Sequence, residues 1–571
     1  MNIVKSDIDL GEYTPNVGTM FLNNRANFGP KPAFAERDGD GFKYWSWDVL
    51  TRDIIALSAY LLNSGLDPDD ADLSRVCYIG GNSYKRLVCE MAIMSCGLTC
   101  VPIFAKYPND FMEKLITFSE ASMVIGDNPE KMASLNPGCL PGRVLLTPTE
   151  EFDQILTQNI SPKRAAEIEQ HFRAIPAAKL AMIMYTSGTS GFPKGVQLHH
   201  SNIMSQQKAL QIMWKPEPGM RFLCYLPWHH SFGGLFERFF ALHSGGCLAI
   251  DDSFGKDMDR LLENFALIKP HVYFSVPVIY QAIVGKVLTS EKAEKSFFHD
   301  ELKFIFTAAA ALPLSTSDVF RKKQVPVLEA WGLTETSPCC TLTDFNMDRI
   351  PGIVGFPIPG VEIRLGEDNE LLVRGENVMS GYFRNPEATE KAFSKGGWFH
   401  TGDIGEITDD GVKIISRKER MFKLSNGEKL FPANIEDNVC RRCKFVKYAY
   451  VFGSGQKYPF MLVFPNSELM AASVRNQMDD PGCEFPGSCA SLSSCLSSCV
   501  DEINTYQLTG FERIGKALVI QRELSLEENE LTPSFKLIPR RIEEKYQAYI
   551  KAMQQQDYDN LPDDAYVIEL E

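Results

Sequence analysis

What this chain lacks removes several classes of protein at once. Its longest apolar stretch, Met91 to Ala105, is interrupted by Ser95, Thr99 and Pro102 and falls short of the roughly 20 residues that a membrane helix needs. That stretch reads instead as a buried helix running into a strand. The first thirty residues show no basic start followed by an apolar core, so no secretory signal is expected and the cytoplasm is the expected location. Basic charge is not in surplus: 58 Lys and Arg stand against 73 Asp and Glu, a net charge of −15. Nucleic acid is therefore not an expected partner, since phosphate backbones are met by cationic surfaces. The 15 cysteines do not fall into the paired couples of a zinc site. Cys440 and Cys443 form a lone couple, and Cys483, Cys489, Cys495 and Cys499 are loosely spaced, so reduced thiols are the simpler reading. No internal repeat is visible.

What remains is a chain of 571 residues, 44% hydrophobic and 23% charged, ordinary for a globular protein and too long for one core. Short Val/Ile-rich runs alternate with amphipathic segments, as at Val76 to Gly80, Met123 to Gly126, Val272 to Ser275 and Phe304 to Thr307. This alternation predicts parallel α/β units. Ile363 to Val373 and Gly411 to Ile415 read as antiparallel strands with tight turns. After Arg417 a charged stretch leads to Phe431-Pro-Ala-Asn-Ile-Glu436, where Asn434 is placed to cap a short helix. The expected architecture is α/β. A large domain over 1–416 has parallel sheets flanked by helices plus a β-rich part, and a small mobile α+β domain covers 417–571. The stretch 477–500 reads as a surface insertion and 551–571 as an acidic tail.

One segment carries chemistry on its face. In Tyr185-Thr-Ser-Gly-Thr-Ser-Gly-Phe-Pro-Lys-Gly-Val196, the side chains of Thr186, Ser187, Thr189 and Ser190 offer hydroxyls to an anion. Gly188 and Gly191 let the backbone approach that anion closely, and Lys194 adds a compact positive charge suited to a polyphosphate. The apolar run Leu180 to Met184 before it reads as a buried strand. The spacing is not that of a G-x-x-x-x-G-K-[ST] loop.

This loop closely resembles the signature of the adenylate-forming superfamily, which includes acyl-CoA synthetases, firefly-type luciferases and peptide-synthetase adenylation domains; Ser190 replaces the usual threonine. Further stretches resemble the same family in the family's order. Glu329-Ala-Trp-Gly-Leu-Thr-Glu-Thr336 resembles its Tyr-Gly-x-Thr-Glu segment, with Trp331 for tyrosine. The resemblance implies adenine stacking on Trp331 beside Gly332, a phosphate contact from Thr334, and Mg2+ held by Glu335, whose oxygen suits a hard cation. Asp403 of Thr401-Gly-Asp403 and Arg417 match the family's ribose-holding residues. Thr307-Ala-Ala-Ala-Ala-Leu-Pro313 stands where Ser-Gly-Gly-Ala-Ala-Leu-Pro is common. By resemblance Ala309 and Ala310 pass the adenine, and the methyls of Ala308 and Ala309 narrow the acyl pocket. Leu226-Pro-Trp-His-His230 places His230 as the family histidine near the carboxylate and α-phosphate, with Phe232 on the acyl channel and a structural role left to His229. Glu530-Leu-Thr-Pro-Ser-Phe-Lys536 resembles the terminal lysine segment, with Lys536 set between the incoming carboxylate and the α-phosphate.

The activity implied by this resemblance is ATP-dependent activation of a carboxylic acid to an acyl-adenylate, followed by transfer to CoA. ATP, Mg2+ and CoA are the implied cofactors. The small domain of such enzymes rotates between the steps about a hinge that falls at Glu419, bringing Lys423, Ser425 and Gly427 to the pantetheine tunnel, with Asn426 where glycine is frequent. Phe422 to Glu428 and Glu530 to Lys536 look most like the long-chain fatty acyl-CoA synthetase branch. The alanines at 308 and 309 point towards medium-chain, alicyclic or aromatic acids. Delivery of the acyl group to a carrier protein, a luciferase-type oxygenase and a non-catalytic nucleotide sensor are the competing readings, the last opposed by the intact Lys536, Glu335 and Asp403. A fatty-acid enzyme without a membrane span leaves room for peripheral membrane contact.

Overall fold

In the computed structural model the described residues are all but 1–2, 187–192, 309–311, 313, 346–349, 351, 444, 467–491, 507, 509, 526–527, 529, 532–536, 559–560, 563 and 570–571. The short apolar runs become strands buried on both faces, as a parallel sheet under helices requires. Arg75–Ile79, Thr99–Ile103 and Met123–Gly126 are buried at every residue. They belong to a seven-stranded sheet, in which Leu180–Thr186 continues the parallel set and then turns back antiparallel into Lys194–His199. The two-residue strand Gly381–Tyr382 completes that edge. The second, nine-stranded sheet is parallel through Val327–Trp331, Phe304–Thr307, Val272–Ser275, Arg221–Cys224, Cys247–Ile250 and Pro32–Asp38. A third sheet is antiparallel and holds Val361–Leu365, Glu370–Gly375, Trp398–Thr408 and Gly411–Arg417, the β-rich part expected from the turns.

One hydrophobic core runs from Val17 to Val412 and joins these sheets. It also contains charge. Glu90, wholly buried, is bonded by Arg86 and by Arg238, so helices Tyr84–Ser95 and Arg238–His243 are tied across the core. Charges taken out of water in this way hold only when their partners are in place. Among the described residues no helix is long and apolar enough to cross a membrane.

The small domain is built on the sheet Val446–Phe452, Phe460–Pro465, Lys516–Ile520 and Ala565–Glu569, parallel in the middle pair and antiparallel outside it. Its two faces carry separate cores. Ile435, Val439, Val500 and Ile503 lie on one, and Ile542, Tyr546 and Met553 on the other. Three local expectations change here. Helix Pro432–Arg442 starts with Phe431 as its cap residue and has no side-chain cap bond, because Asn434 already lies inside its first turn. Of the stretch 477–500 expected to be an insertion, 477–491 lie outside the described residues, and 492–500 belong to helix Leu492–Tyr506, which buries Val500. The expected acidic tail extends helix Gln547–Gln555 and then supplies strand Ala565–Glu569, whose Ile568 is buried. Acidic residues outnumber basic ones there, but Ala565-Tyr-Val-Ile568 is an apolar run whose Tyr566 and Ile568 pack on one core and Ala565 and Val567 on the other. Lys429 reaches Asp368 at 2.8 Å and so ties the small domain to the large one, and Lys418, directly after strand Gly411–Arg417, reaches Glu370 at 3.0 Å.

Candidate active site

The phosphate-type loop is flanked by two paired antiparallel strands. Thr186 ends one strand directly opposite Lys194, which starts the next, and the Thr186 hydroxyl reaches the Lys194 carbonyl at 3.5 Å. Ser187, Gly188, Thr189, Ser190 and Gly191 lie outside the described residues. Beside the paired strands, Tyr382 pairs with Val196, and the Lys194 ammonium sits 4.8 Å from the centre of the Tyr382 ring. The Tyr382 hydroxyl donates to Glu335 Oε1 at 2.9 Å. Burial, then the neighbouring Glu335 carboxylate, push this phenol well above its ordinary pKa, so it remains a donor. Sequence reasoning missed Tyr382; an aromatic in a two-residue strand gives no periodic signal.

Glu335 itself stands on a 3-10 turn, Thr334–Thr336, just after strand Val327–Trp331 ends. The sharp exit depends on Gly332, where an added Cβ would lie 1.9 Å from the Pro338 carbonyl oxygen. Met379 N–H holds the Glu335 carbonyl at 2.8 Å. The Thr334 hydroxyl donates to the Ser231 hydroxyl at 3.0 Å, which brings the turn against His230, the half-buried residue before Ser231. Phe232 then leads into a π-helical turn, Phe232–Glu237, and packs on Phe274 and Phe306. His229 is buried and stacked on Phe104 at 4.2 Å, and burial followed by the Arg86 charge keeps it neutral.

A second cluster gathers around Asp403. The register of Trp398–Thr408 against Gly411–Arg417 sets Asp403 directly opposite Arg417. Arg417 Nε reaches Asp403 Oδ1 at 2.6 Å, and the Trp331 indole N–H donates to Oδ2 at 2.7 Å. Only 3% of Asp403 is exposed. Gly402, at φ +71°, makes the backbone turn that a side chain would resist. The indole bond was not anticipated, although a tryptophan in place of tyrosine keeps a donor at the ring edge.

The remaining candidates divide. Lys423, Ser425 and Gly427 are exposed on the hairpin joining Phe422–Lys423 to Lys429–Leu430, and form no hydrogen bond with either cluster among the described residues. Glu419 lies in the 3-10 turn Lys418–Arg420 and acts electrostatically on Tyr382. Ala309, Ala310 and Lys536 fall outside the described residues. Among the described residues no group of three or more His, Cys, Asp or Glu could hold a metal ion. A cation at this site would rest on Glu335 and on oxygens of a phosphorylated substrate. That fits Mg2+, which keeps few protein ligands, and Glu335 Oε2 has no hydrogen-bond partner among the described residues.

Comparison with known proteins identifies the family and the fold. The chain is 26% identical over 620 residues to the long-chain-fatty-acid–CoA ligase FadD15 of Mycobacterium bovis, covering 96% of this chain and 98% of that one. The ATP-bound structure of MatB from Rhodopseudomonas palustris superposes with a TM-score of 0.71 at 22% identity, covering 94% and 99%. The o-succinylbenzoate CoA synthetase MenE of Bacillus subtilis, in complex with its acyl-adenylate intermediate, gives 0.69 at 19% identity, covering 92% and 98%. These two structures share the fold. The model for the AMP-binding enzyme family matches residues 21–383 and that for the AMP-binding enzyme C-terminal domain matches 419–557, so the chain belongs to the AMP-binding, adenylate-forming enzymes.

Proposed function

We propose that this enzyme joins a carboxylic acid to CoA in two steps at the expense of ATP. In the first, a carboxylate oxygen attacks the α-phosphorus in line, the bond to the β-phosphate breaks, and pyrophosphate leaves an acyl-adenylate. In the second, the CoA sulfur attacks the acyl carbon, AMP departs with the bonding electrons, and the thiol proton passes to solvent. The observation that carries this reading is Asp403, a buried carboxylate fixed at both oxygens by Trp331 and Arg417. A carboxylate so held accepts from paired hydroxyls such as those of ribose, and the Trp331 face offers adenine a stacking surface.

The other residues follow from charge. Thr186, Lys194 and the loop Ser187 to Gly191 hold the departing phosphates, and Thr334 donates to the α-phosphate. His230 takes the acid's carboxylate beside Thr334. Lys536 supplies positive charge where the attacking carboxylate meets phosphorus. Mg2+, when bound at Glu335, neutralises phosphate charge. Between the steps the small domain of 417–571 turns about Glu419. Lys536 then leaves and the exposed hairpin of Lys423, Ser425 and Gly427 meets the pantetheine arm, with Ala309 and Ala310 staying against adenine.

A fatty acid is the first reading of the substrate, supported by the likeness to FadD15. A smaller acid, medium-chain, alicyclic or aromatic, is the second. It is favoured by the aromatic cluster around Phe232, where Phe236 lies 4.8 Å from Phe306 and 5.6 Å from Phe274, all buried. The test is incubation with ATP, Mg2+, CoA and a graded panel of acids, with AMP and acyl-CoA followed by mass spectrometry. Thioester formation lost in Lys536→Ala is expected. Acyl-adenylate accumulating without thioester would overturn CoA as acceptor and point to a carrier protein.

A further inference from the structure

Glu335 is a flexible side chain on a short turn, and a carboxylate that meets a cation must be held in one rotamer to bind it well. The segment 379–382 provides the hold. Met379 N–H takes the Glu335 carbonyl at 2.8 Å and the Tyr382 hydroxyl takes Oε1 at 2.9 Å. That segment is itself anchored. Gly381 and Tyr382 pair with Gln197 and Val196, Phe383 N–H reaches the Gly195 carbonyl at 2.7 Å, and Tyr382 N–H donates to the Thr389 hydroxyl at 2.9 Å. Gly381 has no room for a side chain, because a Cβ would meet the Thr389 methyl at 2.6 Å. The Lys194 ammonium lies 4.8 Å over the other functional part of the same residue, its ring. One side chain therefore touches both the acid that fits a cation and the lysine at the foot of the phosphate-type loop.

We infer that Tyr382 is a positioning residue for Mg2+–ATP: its hydroxyl sets the rotamer of Glu335 for the cation, and its ring face holds the Lys194 ammonium at the site. The inference rests on the adenylation reading above. The two roles use different parts of the side chain, so they separate. Tyr382→Phe removes only the hydroxyl, and Tyr382→Leu removes the ring as well. A cation–π contact at a partly buried site adds a modest attraction to the lysine. A hydrogen-bonded support of a metal ligand matters more, about 10–100-fold in metal affinity.

The experiment is calorimetric titration of ATP into the full-length protein, with Mg2+ and with EDTA. In Tyr382→Phe, ATP binding in EDTA should stay within about twofold of wild type, while the Mg2+-dependent gain in affinity falls about tenfold. Tyr382→Leu should weaken ATP in EDTA as well. Adding Tyr382→Phe to Glu335→Gln should cost nothing further in Mg2+ dependence, since the hydroxyl then has no metal ligand to orient. Wild-type Mg2+ dependence in Tyr382→Phe, or losses that simply add in the double variant, would overturn the inference. If Tyr382→Phe does not fold, carbon-13 labelling of tyrosine gives an independent reading. The Tyr382 signal should move on Glu335→Gln and again on addition of Mg2+ and ATP, and a signal indifferent to both counts against the role. Failure of the wild type to bind ATP in any condition sinks the adenylation reading itself.

Discussion

Asp403 and Glu335 are two carboxylates of one candidate site, and the protein treats them differently. Asp403 is almost wholly buried and engaged at both oxygens, by an indole N–H at 2.7 Å and a guanidinium at 2.6 Å. Glu335 is half-buried and engaged at one oxygen by Tyr382. A carboxylate pinned on both sides has one orientation and suits a ligand that always presents the same hydroxyls. A carboxylate held on one side keeps coordination capacity for a cation that arrives with its substrate. The same contrast recurs in the core. Burial alone would raise the pKa of Glu90, but Arg238 and Arg86 overcome it and hold the group below its ordinary value. Glu237 is equally buried, has no hydrogen-bond partner for either oxygen among the described residues, and is pushed well above its ordinary value by burial. Neighbours, more than depth, decide what a buried acid does.

The largest effect that tests this contrast is expected at Glu335. Glu335→Gln keeps the Tyr382 bond but removes the charge, and ATP–pyrophosphate exchange should fall roughly 10²–10³-fold, the range for loss of a preorganised electrostatic contact. A fall that comes with unchanged Mg2+ dependence, untouched by excess Mg2+, would break the assignment of Glu335 to the cation. Asp403→Ala should come next. It removes the charged acceptor proposed for the ribose hydroxyls, a bond of about 1.5–3 kcal/mol, so ATP should bind tenfold or more weakly while Mg2+ dependence stays unchanged. A changed Mg2+ profile would mean that the two acids are not separate in function. Trp331→Phe keeps an aromatic face and deletes only the donor to Asp403. A loss of about 1 kcal/mol, roughly fivefold in ATP affinity by calorimetry, is the expected result.

The smallest effect concerns stability alone and sharpens the comparison within the core. Because Glu237 holds its proton more tightly folded than unfolded, the folded state binds more protons above pH 4.5 and stability falls as pH rises from there. Glu237→Gln cannot ionise. Its melting temperature should exceed that of the wild type near about pH 8, and the gap should close as pH falls towards the unfolded value, where both side chains are neutral. An equal gap at both ends of a thermal-melt series would show that packing, and not the proton, sets the difference.

Much of the site was legible before the structure because its chemistry sits in contiguous segments. The loop from Thr186 to Lys194 announces itself by residue type, and the run Trp331 to Glu335 and Asp403 with Arg417 by their resemblance to the family's motifs in the family's order. Tyr382 and Ser231 do not, since their role comes from what lies across from them. The misread small-domain ends have a related cause. Asn434 looks like a cap only until the helix is seen to begin at Pro432. Residues 565–569 look like part of a charged tail until the pairing with Lys516–Ile520 makes them the fourth strand.

By itself the sequence determined the α/β class and the division into a large and a small domain, and the resemblance of its motifs to the adenylate-forming family implied the chemistry. Local patterning suffices for the first two, because hydrophobic runs and turn residues act within a few residues. Tertiary structure alone decided that Trp331 and Arg417 close on the two oxygens of Asp403, and that Tyr382 bridges Lys194 and Glu335. It also decided that Glu90, between two arginines, gives up its proton more readily than the buried Glu237. Those outcomes depend on distances between residues far apart in the chain, and hydrogen bonds and charge pairs fall away within a few ångströms.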